Sequence, residues 1–396
     1  MLWTVPFASL WQKEYICVLN LFVFVMRFSG VYLILGFLMT LPASAVQTIP
    51  ASDSRITYVG RTLAADGDVS FDWSSTYAKI SFQGDYLAVR ASDTGKDYFN
   101  VWIDRDISAD ADKVLCINTS DTLLTIVSSA DFKKGKKQAI HTVIIQKRTE
   151  ADQGRTTFHE FLTDKGLLQA APVKERLIEF VGDSYTCGYG IENSISRNRY
   201  TPETQNTSKT YCALLARYFN ADFITVSHSG KGITRNYDDS DRQSRWYMPD
   251  RYGCTFDNAR QPKWEPGDLK PDITMIYLGQ NDFSTERQPM RDPFKRNYQR
   301  LIKSIKDYYG EDHPILCVST KVDKLLFDFV RECVEECGYR NVYYDGMFQA
   351  VHLDNDQELG ADWHPNWKAH IKLAYALIPY FSTITGWEMQ PSKPIE

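Results

Sequence analysis

Four short segments carry the residue types that acyl-transfer chemistry needs: Gly182-Asp183-Ser184-Tyr185-Thr186, Ser227-His228-Ser229-Gly230-Lys231-Gly232, Gly279-Gln280-Asn281-Asp282 and Asp362-Trp363-His364-Pro365. Ser184 follows an apolar run and has small residues around it, which suits a hydroxyl exposed at a sharp turn. A serine becomes a nucleophile only beside a base, and His364 is the candidate base. Asp362, two residues earlier, offers a carboxylate to accept from the imidazole Nδ1 and set its tautomer. Gly230 can bring a backbone N–H close because it lacks a Cβ, and Asn281 carries a side-chain N–H₂. With the Ser184 N–H, these are the expected oxyanion donors. Each residue also has an ordinary reading. Ser184 suits a turn or helix cap, His364 a packed surface position and Gly230 a tight turn. Asn281-Asp282 suits a simple turn pair, and Asp362 a helix cap, though Asn366 is better placed for that. Their joint occurrence favours a serine esterase.

The elements that must position these groups follow from the hydrophobic rhythm. Leu177–Val181, Phe223–Val226, Ile273–Leu278, Ile315–Ser319 and Asn341–Tyr344 are short buried-strand patterns. Between or after them, Thr210–Asn220, Phe294–Tyr308, Leu325–Cys337 and about Trp367–Ile384 follow helical spacing, as in Tyr211, Leu214, Leu215 and Tyr218. Alternation of this kind predicts an α/β fold with a parallel sheet covered on both faces. Reacting groups then collect beyond the carboxyl ends of the strands, where the first three chemical segments fall; the fourth lies just before the last helix.

Upstream the rhythm differs. Ile80–Phe82, Tyr86–Val89, Tyr98–Ile103, Thr122–Val127 and His141–Lys147 are β-branched or aromatic runs. They are punctuated by Asp66-Gly67, Gln83-Gly84-Asp85, Thr94-Gly95 and Lys134-Gly135. Short strands with frequent turns predict a β-sandwich. The expected organisation is an N-terminal segment 1–45, a β-sandwich domain 46–165, a linker 166–175 and an α/β domain 176–396. Residues 18–45 are almost wholly apolar. Met26-Arg27, an apolar Val31–Leu41 and Pro42-Ala43-Ser44-Ala45 together predict an export signal cleaved after Ala45, with the residues before Met26 an over-extended start. A retained membrane anchor is the alternative.

The 396 residues are 43% hydrophobic and 24% charged, an ordinary globular composition. A net charge of −5 gives no electrostatic reason to expect nucleic acid. Aromatic residues make up 13% of the chain, which suits β-rich cores and equally suits stacking on sugar rings. The seven histidines are dispersed without ligand spacing, so no metal is expected, and no Gly-Lys-Ser/Thr follows the glycine-rich segment 182–190 to cradle a phosphate. Seven cysteines follow the apolar segment, an odd number that does not suggest a disulfide framework; a Cys187–Cys254 pair is one possibility. Trp363, between the candidate acid and base, is expected to line the site, with a core position the even alternative. The long insert 236–264, carrying Arg245 and Trp246, is expected to wall a substrate cleft. Gln280 and Asp282 also stand among the candidate substrate contacts, although their flanking positions suit holding Asn281 in place.

Gly182-Asp183-Ser184, the glycine of the second segment, Gly279-Gln280-Asn281-Asp282 and the late Asp-His pair resemble the Ser-Gly-Asn-His (SGNH, or GDSL-type) hydrolase superfamily over residues from about 176 to 384. The resemblance implies Ser184 as nucleophile, Gly230 and Asn281 as oxyanion donors and His364 as base. Most members place the acid three residues before the histidine; here Asp362 is two before. Asp-Trp-His-Pro, the long Gly-Asp-Ser-Tyr-Thr-Cys-Gly-Tyr-Gly motif and the upstream β-domain are more similar to carbohydrate esterase family 2. His141-Thr-Val-Ile-Ile-Gln-Lys-Arg-Thr-Glu150 resembles the segment that closes that family's β-domain. This similarity implies a jelly-roll domain joined to a three-layer hydrolase domain and an aromatic sugar platform at Trp363. It also implies no metal or cofactor, and acetylated xylan or glucomannan as substrate. A lipase or thioesterase, or a non-catalytic carbohydrate-binding protein, are the competing expectations. No stable membrane partner is expected once the signal is removed.

Overall fold

The computed structural model describes residues 21–28, 31–38, 46–118, 120–132, 140–285, 287–319, 324–345, 356–390 and 392–395. The expected cleavage site at Ala45 and the Lys134-Gly135 turn lie outside the described residues. In the N-terminal unit, Leu21–Phe28 pairs antiparallel with Val31–Leu38. Among the described residues no helix is long and apolar enough to cross a membrane.

Residues 47–396 form one compact unit. Its N-terminal part contains two antiparallel sheets, of five and six strands. Alternating apolar residues from both sheets meet in one core: Ile80, Phe82, Phe99, Val101 and Val143 from one, Phe71, Val89, Phe158 and Phe161 from the other. Phe71 meets Phe99 edge-on across this core, with centroids 6.3 Å apart. All five runs expected as strands are strands, with bounds such as Tyr77–Gln83 and Ile140–Lys147. Among the described residues this part has six further strands: Thr57–Val59 and Leu63–Ala65 are three residues each and carry little periodicity of their own, whereas Thr156–Thr163 is eight residues long and was not expected.

The C-terminal part is a five-stranded parallel sheet in the order Asp222–Ser227, Leu177–Gly182, Ile273–Tyr277, Ile315–Val318, Val342–Asp345. The first four strands are buried at every position, as a sheet covered on both faces requires. The expected helices are present as Tyr211–Tyr218, Arg291–Tyr309, Lys324–Glu336 and Trp367–Thr385. The Asn366 side chain accepts from Lys368 N and Ala369 N and so caps the last helix, leaving Asp362 free of that task.

Asp222–Ser227 is an edge strand of this sheet, and the β-sandwich covers that edge. Thr225 N–H donates to Ser75 Oγ at 3.0 Å, and Thr225 Oγ1 donates to the Ser74 carbonyl at 2.8 Å. Lys79 Nζ pairs with Asp222 at 2.7 Å and Tyr77 OH donates to the same carboxylate at 2.8 Å. Unpaired edge groups are thereby satisfied by the neighbouring part of the same chain. Trp73, Tyr77 and Trp102 of the sandwich belong to the same apolar core as the parallel sheet. Residues expected as a linker are packed too: Leu167 bridges to Phe82, Leu168 N–H donates to the Ser81 carbonyl at 2.8 Å, and Lys174 N–H donates to Asp222 at 2.7 Å. Cys187 and Cys254 are free thiols, so the possible Cys187–Cys254 bridge is absent. The Cys187 thiol instead lies 3.3 Å from Ser227 Oγ.

Candidate active site

The Leu177–Gly182 strand runs into a four-residue helix, Ser184–Cys187, and Ser184 occupies its first position. Asp183 caps it, accepting from Tyr185 N at 3.3 Å. The turn is tight: a Cβ on Gly182 would stand 1.9 Å from Thr186 Oγ1, so only glycine fits there. Thr186 is held in turn by the Tyr211 hydroxyl at 2.6 Å.

His364 comes from the other end of the chain. Its Nε2 lies 3.1 Å from Ser184 Oγ, and its Nδ1 lies 3.1 Å from the backbone carbonyl of Asp362. A carbonyl only accepts, so Nδ1 carries the proton and Nε2 presents its lone pair to the serine hydroxyl. The imidazole packs against Tyr189, at 4.4 Å between centroids, and Tyr185, at 5.9 Å. Burial lowers its pKa below the usual histidine value, outweighing the Asp362 contacts that raise it.

The Asp362 carboxylate does not reach the imidazole, which corrects the expected side-chain contact. Asp362 and Trp363 both have positive φ, 48° and 58°. The turn they form is stitched to the loop after the nucleophile, with Asp362 N–H donating to Asn198 O at 2.9 Å and Trp363 N–H to Ser196 O at 3.1 Å. The carboxylate therefore points toward that loop. It accepts from Tyr200 N at 2.9 Å, Tyr189 OH at 3.1 Å and Arg199 Nη1 at 3.0 Å. Burial raises its pKa, but these donors win and hold it below the ordinary value. With Asp362 two positions before His364, the backbone oxygen takes the place beside Nδ1.

Ser184 and His364 open on a cavity of about 570 Å³ lined also by Gly230, Gln280, Asn281 and Trp363. Gly230 has φ 74°, and its carbonyl accepts from Tyr237 N–H at 2.7 Å. Asn281 Nδ2 lies 3.1 Å from Asp183 Oδ2 and 3.0 Å from the Lys231 carbonyl, so its amide is oriented by two partners. Gln280 Nε2 donates to Asp183 Oδ1 at 2.6 Å. Burial pushes Asp183 up to about 7. Trp363 is 59% exposed, which rules out the core alternative.

Three expected substrate contacts lie elsewhere. Asp282 is fully buried and accepts from Ile233, Thr234 and Arg235 N–H at 2.7–2.8 Å, so it holds the loop after Gly230 rather than meeting solvent. Arg245 and Trp246 line a separate polar cavity with Lys231, Asp239 and Arg251. Trp246 stacks under Arg260, with Cζ 4.0 Å from its ring centroid. The insert contributes Tyr237 to the Ser184 cavity instead. Tyr185, Tyr189 and Arg199 also line it and were not singled out from the sequence. Tyr185 and Tyr189 stand inside the glycine-rich segment, whose aromatic content was the available signal. Arg199 lies in an irregular loop with no pattern to mark it.

A serine–histidine pair beyond the carboxyl ends of a parallel sheet, facing glycine and asparagine, defines the class of GDSL-type hydrolases. The GDSL-like lipase/acylhydrolase family model matches residues 180–370, and the carbohydrate esterase 2 N-terminal model matches residues 58–172. A cellulase/esterase, CelE, from Acetivibrio thermocellus is 30% identical over 80% of this chain, and the chain spans 38% of that protein's length. An acetylxylan esterase/glucomannan deacetylase from Cellvibrio japonicus is 24% identical, over 87% of this chain and 93% of the relative. A family two carbohydrate esterase from Clostridium thermocellum, solved in complex with cellohexaose, superposes with a TM-score of 0.73 at 28% identity. That alignment covers 84% of this chain and all of that one. The chain thus carries a carbohydrate esterase 2 N-terminal domain followed by a GDSL-type hydrolase domain, the arrangement of the family 2 carbohydrate esterases, carboxylic ester hydrolases, to which it is similar.

Proposed function

We propose that the protein is an exported O-acetyl esterase that removes acetyl groups from polysaccharide or its oligosaccharides, of the acetylated xylan or glucomannan type. The observation that carries this reading is the Ser184 Oγ–His364 Nε2 contact of 3.1 Å in a cavity bordered by Gly230, Asn281 and the exposed Trp363. Ser184 Oγ attacks the acetyl carbonyl carbon while His364 Nε2 takes the hydroxyl proton. The carbonyl π-electrons move onto oxygen, and the oxyanion sits among the backbone N–H groups of Ser184 and Gly230 and the Asn281 amide, which exchanges its bond to the Lys231 carbonyl for one to the oxyanion. Collapse expels the sugar oxygen, which receives the proton from His364. Water then attacks the acetyl-serine by the reverse roles, releasing acetate. The Asp362 backbone carbonyl, not its carboxylate, holds the imidazole through this cycle.

Trp363 offers an apolar ring face beside the reacting serine, which suits a pyranose ring better than a long acyl chain. The relatives named for acetylxylan and glucomannan support the same substrate class, and the apolar segment 18–45 supports export. The sandwich 46–165 acts here as a partner of the hydrolase part 176–396. The test is acetate release from acetylated xylan, glucomannan and bacterial glycans, with 4-nitrophenyl esters of increasing chain length in parallel. Release from a plant-type polysaccharide and preference for acetyl are expected. Preference for chains beyond butyryl would overturn the acetyl reading.

A further inference from the structure

The run Lys147-Arg148-Thr149-Glu150, which ends the Ile140–Lys147 strand, is buried at all four positions. Lys147 pairs with Asp97 inside the sandwich. Arg148 crosses to the hydrolase part, where its Nε donates to the Gln205 carbonyl at 2.9 Å and its guanidinium pairs with Glu192. Glu150 reaches Ser229, a residue that lines the catalytic cavity. Its Oε2 accepts from Ser229 N–H at 2.7 Å and its Oε1 accepts from the Ser229 hydroxyl at 2.7 Å. Ser229 immediately precedes Gly230, and both line the cavity with Ser184. The Cys187 thiol, in the helix that begins with Ser184, lies 3.5 Å from the same carboxylate.

The residue before Ser229 is clamped as well. His228 Nε2 lies 3.1 Å from Asp152 and its Nδ1 pairs with Asp257, which Arg251 holds at 2.6 Å. Two successive residues ahead of Gly230 are thus fixed by acidic side chains. Glu150 and Asp152 follow directly from the sandwich, while Asp257 comes from the hydrolase insert. Hydrogen bonds to a carboxylate are short and strong, so they set the backbone direction at Ser229 more firmly than a neutral acceptor would.

We propose that Glu150 is a positioning residue for ester hydrolysis, aiming the Gly230 N–H at the oxyanion through its two bonds to Ser229. The inference rests on the Ser184–His364 esterase reading. Both Glu150 oxygens are taken by Ser229, so the carboxylate acts through that residue. The sandwich then completes the catalytic centre as well as covering a sheet edge.

The test compares wild type, Ser184→Ala, Glu150→Ala, Glu150→Gln and Ser229→Ala in the full chain, with 4-nitrophenyl acetate and rates normalised to titratable active serine in the wild type and the Glu150 and Ser229 variants. Since a lost or misaimed oxyanion donor costs about 10²–10³ in kcat at most, Glu150→Ala is expected to lose roughly 10- to 100-fold in kcat with KM nearly unchanged. Glu150→Gln keeps an oxygen for the Ser229 N–H and should recover to within about fivefold of wild type, and Ser229→Ala should lose about three- to tenfold. A merely structural role would lower the yield of active protein and leave kcat per titrated site unchanged. The inference is overturned if Glu150→Ala keeps wild-type kcat while Ser184→Ala is inactive. Should Glu150→Ala not fold, wild-type kcat in both Glu150→Gln and Ser229→Ala overturns it. Activity retained in Ser184→Ala would instead overturn the esterase reading beneath it.

Discussion

Two histidines border the reacting serine's surroundings, and their neighbours give them opposite characters. His228 follows the edge strand of the parallel sheet and sits between two carboxylates, Asp152 and Asp257. His364 faces a backbone carbonyl on one nitrogen and a serine hydroxyl on the other. Burial disfavours the charged form of both. At His364 burial prevails and the pKa falls. At His228 the Asp257 charge and the Asp152 hydrogen bond overcome burial and raise it to about 9. The first is a neutral imidazole with a free lone pair at neutral pH, suited to take a proton. The second is an imidazolium locked in an ion-pair network, suited to hold a loop. Residue type alone does not separate a base from a brace; the charge of the second neighbour does.

The largest expected effect breaks the base side of this comparison. Removing the serine or the histidine from a nucleophile–base pair costs about 10⁴-fold or more in kcat, so Ser184→Ala and His364→Ala should fall near background in a 4-nitrophenyl acetate assay. Asn281→Ala should lose about 10²-fold, as for one oxyanion donor, with kcat read against KM. Asp362→Asn sharpens the comparison. A triad carboxylate would cost about 10⁴-fold when made an amide, but here the carbonyl does the holding, so a loss under about tenfold is expected. A larger loss would show that the carboxylate acts on the imidazole after all. The pH profile of kcat/KM should rise to a plateau through a pKa below 6.5, the neutral form of His364 being the active one.

The smallest effect belongs to the brace. A histidine whose folded pKa lies above its unfolded value contributes stability fully present below the unfolded value. That stability is lost as pH rises through the folded one. For His228 the window runs from 6.5 to about 9. The midpoint of thermal unfolding should therefore decline across this range, and Asp152→Asn should shallow the decline. An unchanged slope in the variant would remove Asp152 from the network.

Much of this was legible in the chain. The parallel sheet was visible because strands covered on both faces are continuous apolar runs, as in Leu177–Gly182. Ser184, Gly230, Asn281 and His364 stood out because each follows or precedes such an element. The short strands Thr57–Val59 and Leu63–Ala65 were not visible, since three residues carry no periodicity. Arg245 and Trp246 were expected at the Ser184 cavity because a long aromatic insert suggests a wall, yet cation–π contacts with Arg260 and Arg251 draw Trp246 into a separate pocket. Asp282 looked available and is sealed under the 233–235 backbone.

The sequence by itself determined a β-rich part followed by an α/β part, the order of the parallel strands and long helices in the latter and the candidate reacting pair, because hydrophobic period and local turn chemistry are properties of neighbouring residues. Only the tertiary structure decided which atom of Asp362 faces His364, since that depends on positive φ angles held by bonds to residues 196–198. It also decided that Glu150 of the sandwich meets Ser229, 79 positions away. Contacts of that separation are set by how two sheets pack, and no local pattern encodes them.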